Sequence, residues 1–288
     1  MKKLIINADD FGLSNSVNQA VIKGWESGIL TSTSLMVEGS AFNEAVQIAK
    51  DNPNLQVGLH LTLLQGKGTA EHEGFPSLLD YQGNFPNDPI MAGMRMFFLR
   101  PLRKQIAKEI EAQIEKFLST GLKLSHIDGH LNIHMHPTVF DILCKLMPKY
   151  DIKSFRLSRE RLLTELSISK RRFLGKCVDA FIFGRLAKRC RSPLEILGIN
   201  YADEVKGLLN SGSMTEDYIF KALDRLQEGV TEIYLHPGYL KDSETTKWMP
   251  DYQHENELAA LLSPKIKEKI TKNGIKLCNY NGEEKLLC

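Results

Sequence analysis

Cysteine and tryptophan are scarce, with five and two among 288 residues. Cys144, Cys177, Cys190, Cys278 and Cys288 are odd in number, and no two stand in a C-x-x-C pair. That spacing offers no disulfide framework, so reduced thiols and a cytoplasmic location are expected. Long apolar runs are missing as well. After Lys2 and Lys3 come only Leu4, Ile5 and Ile6 before Asn7, which is too short for a signal peptide. Nothing later is long and apolar enough to span a bilayer, so no membrane partner is expected. Neither sign of charge is in excess, with 37 Lys and Arg against 35 Asp and Glu, and nucleic acid is not an expected partner. No linker-like, low-complexity or repeated segment divides the chain, which reads as one domain over residues 1–288.

What is present is alternation. Short β-type runs recur at 3–7, 31–37, 55–63, 123–129, 153–158, about 195–201, 231–236 and 274–279, each followed by a helical pattern. Ser16 with Gln19 reads as a capping box, and Val17, Val21 and Trp25 share a face until Gly28. Ile106, Ile110, Ile114 and Phe117 form a stripe ended by Gly121, and Pro137 suits a first helical turn. Ser213 with Glu216 is a second box, while Ser263-Pro264 opens the last helix and Asn273-Gly274 closes it. This order predicts an α/β fold, a (β/α) barrel of seven or eight mostly parallel strands. An open doubly wound sheet is the alternative.

The chemically active residues gather at strand ends. Asp9 and Asp10 follow the first run in "INADDFGLS", and His60 closes the third in "GLHLTL". "HIDGHLNIHMHP" holds His126, Asp128, His130, His134 and His136, and "LHPGY" holds His236. In a β/α barrel, the C-terminal strand ends form the face where active sites lie. Two imidazoles and a carboxylate from three such ends suit a divalent metal with positions left open for water and substrate. Of the adjacent aspartates, one would bind metal and the other would act as general base, because neighbours in a strand point to opposite sides. Singly, each residue has a plainer reading: Asp9-Asp10 as a helix cap, His60 as a core histidine, His236 as part of a turn. His134 and His136 suit support or loop packing better than ligation.

Those four motifs, in this order, resemble the YdjC/ChbG-like carbohydrate deacetylase family, from Leu4 to about Tyr280. The resemblance implies a distorted barrel, a divalent metal and hydrolysis of an N-acetyl group on a sugar. It places the metal-binding histidines on His60 and His130 and the aspartate ligand in the Asp9-Asp10 pair. By analogy with the related polysaccharide deacetylases, Asp9 would be the base, Asp10 the ligand and His236 the acid for the leaving amine. Asp128 would orient an imidazole or serve its own loop, and Arg156 is the basic residue expected in the pocket. The resemblance points to Mg²⁺, whereas two imidazoles and one carboxylate suit Zn²⁺, Mn²⁺ or Fe²⁺ by ligand preference. The resemblance also suggests a homodimer.

Residues 168–191 are strongly basic and amphipathic, reading as a solvated or subunit-facing helix, or as a rim that attracts a phosphorylated sugar. "MRMFFLRPLRK", 94–104, reads as a second mobile loop. The expected activity is therefore metal-dependent N-deacetylation of oligosaccharides of the chitobiose type. A metal-dependent phosphoesterase and a non-catalytic sugar- or metal-binding barrel are the competing readings.

Overall fold

The computed structural model describes every residue except 72, 73, 75, 240, 241, 287 and 288, so His72 and Cys288 lie outside the described residues. Seven strands form one sheet: β1 (Lys2–Phe11), β2 (Ser32–Leu35), β3 (Gln56–Leu61), β4 (Leu124–Gly129), β5 (Glu204–Lys206), β6 (Gly229–Leu235) and β7 (Lys276–Leu277). Their order is β4-β3-β2-β1-β6-β5, with β7 beside the start of β1, and every pairing is parallel. β1 is central, and its residues from Leu4 to Phe11 are all buried, as befits a strand covered on both faces.

Between β4 and β5 the curled sheet is joined only by isolated bridges, Ile127 with Phe155 and Ser154 with Asn200. The strand expected at 153–158 is thus reduced to a bridged extended segment. The one expected near 195–201 is displaced to β5, because Leu194 continues the buried helical face of Ala187 and Cys190. The fold is the expected distorted α/β barrel.

The outer layer comprises α1 (Asn15–Ser27), α2 (Phe42–Asp51), α3 (Pro89–Phe98), α4 (Leu102–Ser119), α5 (Pro137–Lys149), α6 (Leu162–Ile168), α7 (Phe173–Ile196), α8 (Glu216–Leu223), α9 (Ser243–Trp248), α10 (His254–Leu262) and α11 (Pro264–Lys272). The stripe of α4 is fully buried as predicted, and Gly121, at φ +80°, supplies the left-handed residue after it. Two expected caps move. Ser14 caps α1, accepting from the Val17 amide, while Ser16 Oγ accepts from Tyr239 N across the barrel mouth. Thr215, not Ser213, precedes α8. Most of 94–104 is helical rather than a loop: 94–98 end α3 and 102–104 begin α4, with only the turn at 99–101 between them. Asp88 and Pro89 start α3 with a capped first turn, and Phe97 and Phe98 at its end stay exposed. Cys144, Cys177, Cys190 and Cys278 are free, and no helix among the described residues is long and apolar enough to cross a membrane.

Histidines in the core make folding pH-dependent. His126 stacks on Tyr280 and is held by Ser34 and Ser125, in space that a side chain at Gly58 would fill. Burial pushes both His126 and His134 down to about 3. Unfolded, each would titrate near about 6.5 and so take up a proton that the native state refuses. Stability is therefore expected to fall as pH drops from about 6.5 towards 3. Urea midpoints at pH 7 and pH 5 check this, and equal midpoints would contradict it.

Candidate active site

At the C-terminal end of β1 the chain turns sharply. Asp10 takes a left-handed conformation, φ 63°, which Asp tolerates better than most residues. The kink gives the neighbouring carboxylates different surroundings within one site. Asp10 Oδ1 meets His60 Nε2 at 3.3 Å and His130 Nδ1 at 3.1 Å. His60 comes from β3, and His130 follows β4. These three ligand atoms lie within 4.8 Å of one another.

The far nitrogens of both imidazoles are fixed. His60 Nδ1 is 2.8 Å from Asp128 Oδ1, and His130 Nε2 is 3.2 Å from Gln65 Oε1. Ser34 donates to the other oxygen of Asp128 at 2.6 Å. A carboxylate behind an imidazole sets its tautomer and orientation, the usual support for a metal-binding histidine.

Asp9 lies in a different environment. Arg156 forks onto it, with Nη1–Oδ2 and Nη2–Oδ1 both at 2.7 Å, and Asn7 Nδ2 donates to Oδ1 at 2.8 Å. The same guanidinium reaches Asp128 Oδ2 at 2.8 Å and Glu232 Oε1 at 2.6 Å. The Tyr234 ring lies 4.3 Å from it. Arg156 is 1% exposed; a cation buried so deeply needs these partners.

Three carboxylates, Asp9, Asp128 and Glu232, thus surround one arginine. The donor set fits a divalent cation on two further counts. Asp10 Oδ2 is buried without a hydrogen-bond partner among the described residues. The charge around His60 also calls for a cation: burial works against its proton, yet the Asp128 charge and the bonds to Asp10 and Asp128 raise it to about 10. Burial likewise opposes ionisation of Asp10, but hydrogen bonds from His130 and His60 hold it well below the usual carboxylate range. A second grouping, Asp9, His60 and Asp128, also has the spacing for a metal, but the guanidinium already sits between its two carboxylates.

His236 follows β6 and faces Asp9, Nε2 to Oδ2, at 4.0 Å. Burial pushes it down to about 4 despite the charges of Asp10 and Asp9. Asp9, His60, His130 and His236 all border a cavity of about 560 Å³. Tyr234, Tyr252 and Trp248 line one part of it, and another is supplied by Arg172, just before α7, with Ile182 and Phe183 of that helix. The basic segment is therefore a wall of the cavity.

Not every expected residue faces the chemistry. His134 lies beneath the site and binds the Arg156 carbonyl at 2.8 Å, so it supports the arginine and does not border the cavity. Glu232, Glu257, Ser34, Gln65 and Asn7 were not foreseen. Each is an ordinary polar residue of its strand, helix or turn, and its role depends on partners distant in sequence. Only the alternation of "TEIYLH" hinted at Glu232, and it pointed to solvent.

Residues 3–272 match the family model described as YdjC-like protein. Curated relatives named carbohydrate deacetylase include one from Thermoanaerobacter pseudethanolicus, 31% identical, covering 98% of this chain and 99% of the relative. Another, from Vibrio campbellii, is 36% identical and covers 97% and 95%. A solved structure from Enterococcus faecalis, provisionally described as a cellobiose-phosphate cleavage protein, shares 29% identity at a TM-score of 0.75, covering 97% and 98%. With its motifs assembled at one barrel mouth and nearly its whole length matched, this chain belongs to the YdjC-like family.

Proposed function

We propose that the protein is a carbohydrate deacetylase that hydrolyses the N-acetyl group of an oligosaccharide with one divalent cation held by Asp10, His60 and His130. The observation that carries this is the convergence of those three donors beside a separately held carboxylate, Asp9, and an imidazole, His236, in one cavity. The cation would polarise the acetyl carbonyl and lower the pKa of a bound water.

The chain's own residues manage protons and position. Asp9, its orientation locked by the Arg156 fork, accepts a proton from the attacking water. His236 Nε2, 4.0 Å away, relays that proton to the departing amine nitrogen. Since His236 is neutral near pH 7, the proton it delivers is the one Asp9 has just collected. Asp128 holds His60 in the tautomer that offers Nε2. Arg156 binds Asp9 and Asp128 together, so base and ligand shell keep one geometry.

A two-metal phosphoesterase is disfavoured because Asp9 and Asp128, the carboxylates beside the first site, are committed to Arg156. A non-catalytic barrel would have little use for the juxtaposition of Asp9 and His236. The substrate we favour is of the chitobiose type. Arg172, on the cavity wall, and the description of the Enterococcus relative support a phosphorylated form. Two imidazoles favour Zn²⁺ or Mn²⁺ over the Mg²⁺ that family resemblance suggests.

Two measurements test the proposal. Metal-stripped protein should release acetate from N,N′-diacetylchitobiose only when a cation is restored; release of phosphate from phosphorylated sugars instead of acetate would overturn it. The cation should also stabilise the fold, by about 2.7 kcal/mol at a hundredfold excess over its Kd. A calorimetric melt with no shift under Zn²⁺, Mn²⁺ or Mg²⁺ would count against the metal site.

A further inference from the structure

A buried carboxylate that the mechanism above does not use lies behind His236. Glu257, in the first turn of α10, is fully buried. Its Oε1 accepts the Met214 amide at 2.9 Å, and its Oε2 accepts the amide of His236 at 2.6 Å. The same Oε2 lies 3.9 Å from His236 Nδ1, which is buried with no hydrogen-bond partner among the described residues. A second residue of α10, His254, holds the His236 carbonyl through Nδ1 at 2.7 Å. The Tyr252 ring packs edge-on against the imidazole, centroids 4.9 Å apart. Helix α10 thus grips the His236 backbone on both sides and sets a carboxylate behind its ring.

We propose that Glu257 is a positioning residue for His236, holding Nδ1 as the protonated nitrogen so that Nε2 faces Asp9 with a free lone pair. The inference rests on the role given above to His236. Proton flow then has a fixed direction. Nε2 takes the proton that Asp9 removed from water. As the carbon–nitrogen bond breaks, its electron pair goes to nitrogen and the proton passes from Nε2 to that nitrogen, giving a free amine and acetic acid, which ionises to acetate in water. Glu257, which burial pushes up to about 7, faces the imidazolium during the relay and favours it in its ionised form. Without Glu257 the ring is free to present Nε2–H to Asp9, the tautomer that cannot receive a proton there. A loop staple alone would require only the two backbone contacts; the orphaned Nδ1 beside the same oxygen is what points to the ring.

The test uses the metal-loaded enzyme with two substrates that differ in leaving group. An amine leaves only with a proton, whereas the phenolate of 4-nitrophenyl acetate needs none. Glu257→Gln should lower kcat on diacetylchitobiose by about 10–100-fold with KM little changed, a part of the roughly 10²–10⁴-fold that acid–base catalysis contributes, since the ring remains but is misoriented. Aryl acetate turnover should stay within about threefold, and Glu257→Asp should recover part of the loss. Equal losses on both substrates would make Glu257 merely structural and overturn the proposal. ¹⁵N spectra of histidine-labelled protein read the tautomer without any turnover. The parent should carry Nδ1–H at His236 and Glu257→Gln a mixture, and an Nε2–H parent would also overturn it. His236→Ala separates the underlying reading: if it slows both substrates alike, the role of His236 fails whatever Glu257 does to the tautomer.

Discussion

Asp10→Ala protein is expected to lose its bound cation and to deacetylate at least about 10³-fold more slowly than the parent, a loss of about 4 kcal/mol in transition-state stabilisation. Asp10 is the one carboxylate of the proposed ligand set, and its Oδ1 is the atom on which His60 and His130 converge. With it gone, two imidazoles remain about an empty corner and the site carries one negative charge fewer. Metal content after dialysis and acetate release under saturating substrate check the result. Asp9→Asn provides the contrast: it should keep the cation and lose turnover, since Asp9 contributes a proton acceptor and no ligand. If Asp10→Ala retained both cation and rate, the cation would have to lie among Asp9, His60 and Asp128, displacing Arg156.

Arg156→Met should be the most damaging single change to the fold. It leaves Asp9, Asp128 and Glu232 buried without their shared counter-charge. Breaking a buried pair from one side costs about 3–5 kcal/mol, and here three partners are stranded. Glu232 already stands near its limit: burial pushes it up to about 7 even though Arg156 pulls it down, so without the arginine it would fold protonated. Arg156→Lys should restore only part of the loss, because an ammonium cannot fork onto Asp9 while reaching the other two carboxylates. Urea unfolding of the metal-free proteins at pH 7 measures both variants. A loss under about 1 kcal/mol for the methionine variant would mean that the cluster is neutralised by other means.

Much of this site was legible because its donors are uncommon residue types placed where strands end. Asp9, Asp10, His60, His130 and His236 could each be placed from the strand pattern, and the barrel then brings them to one mouth. Arg156 was legible by its place near an expected strand end, although that strand dwindles to a bridge and the guanidinium lies behind Asp9 in a buried ion cluster rather than lining the cavity as expected. What stayed hidden depends on tertiary partners. Glu257 in "HENELAALL" looks like an acid favoured by the helix dipole and exposed to water; only the His236 and Met214 amides explain its burial. Ser34 reads as one more polar residue of "TSTSLMV", yet it joins Asp128, Asn7 and His126. The α1 cap fell two residues early because Ser14 and Ser16 both precede helical residues, and Tyr239 decides which of them is free to cap. Residues 94–104 misread as a loop because helix α3 leaves its aromatics uncovered.

The left-handed turn at Asp10 has one more consequence. In the proposed site, proton acceptor and cation ligand are consecutive residues, so one peptide link, about 3.8 Å from Cα to Cα, would serve as a covalent ruler between them. Helix α7 and the aromatic wall can shift, or be exchanged in evolution for another sugar, without changing that spacing. Asp10→Glu would upset it from within: the longer side chain overshoots the imidazoles, and glutamate is less at home in the left-handed region. The gauge of the reaction is thus carried by a dipeptide, and the barrel around it is free to specialise.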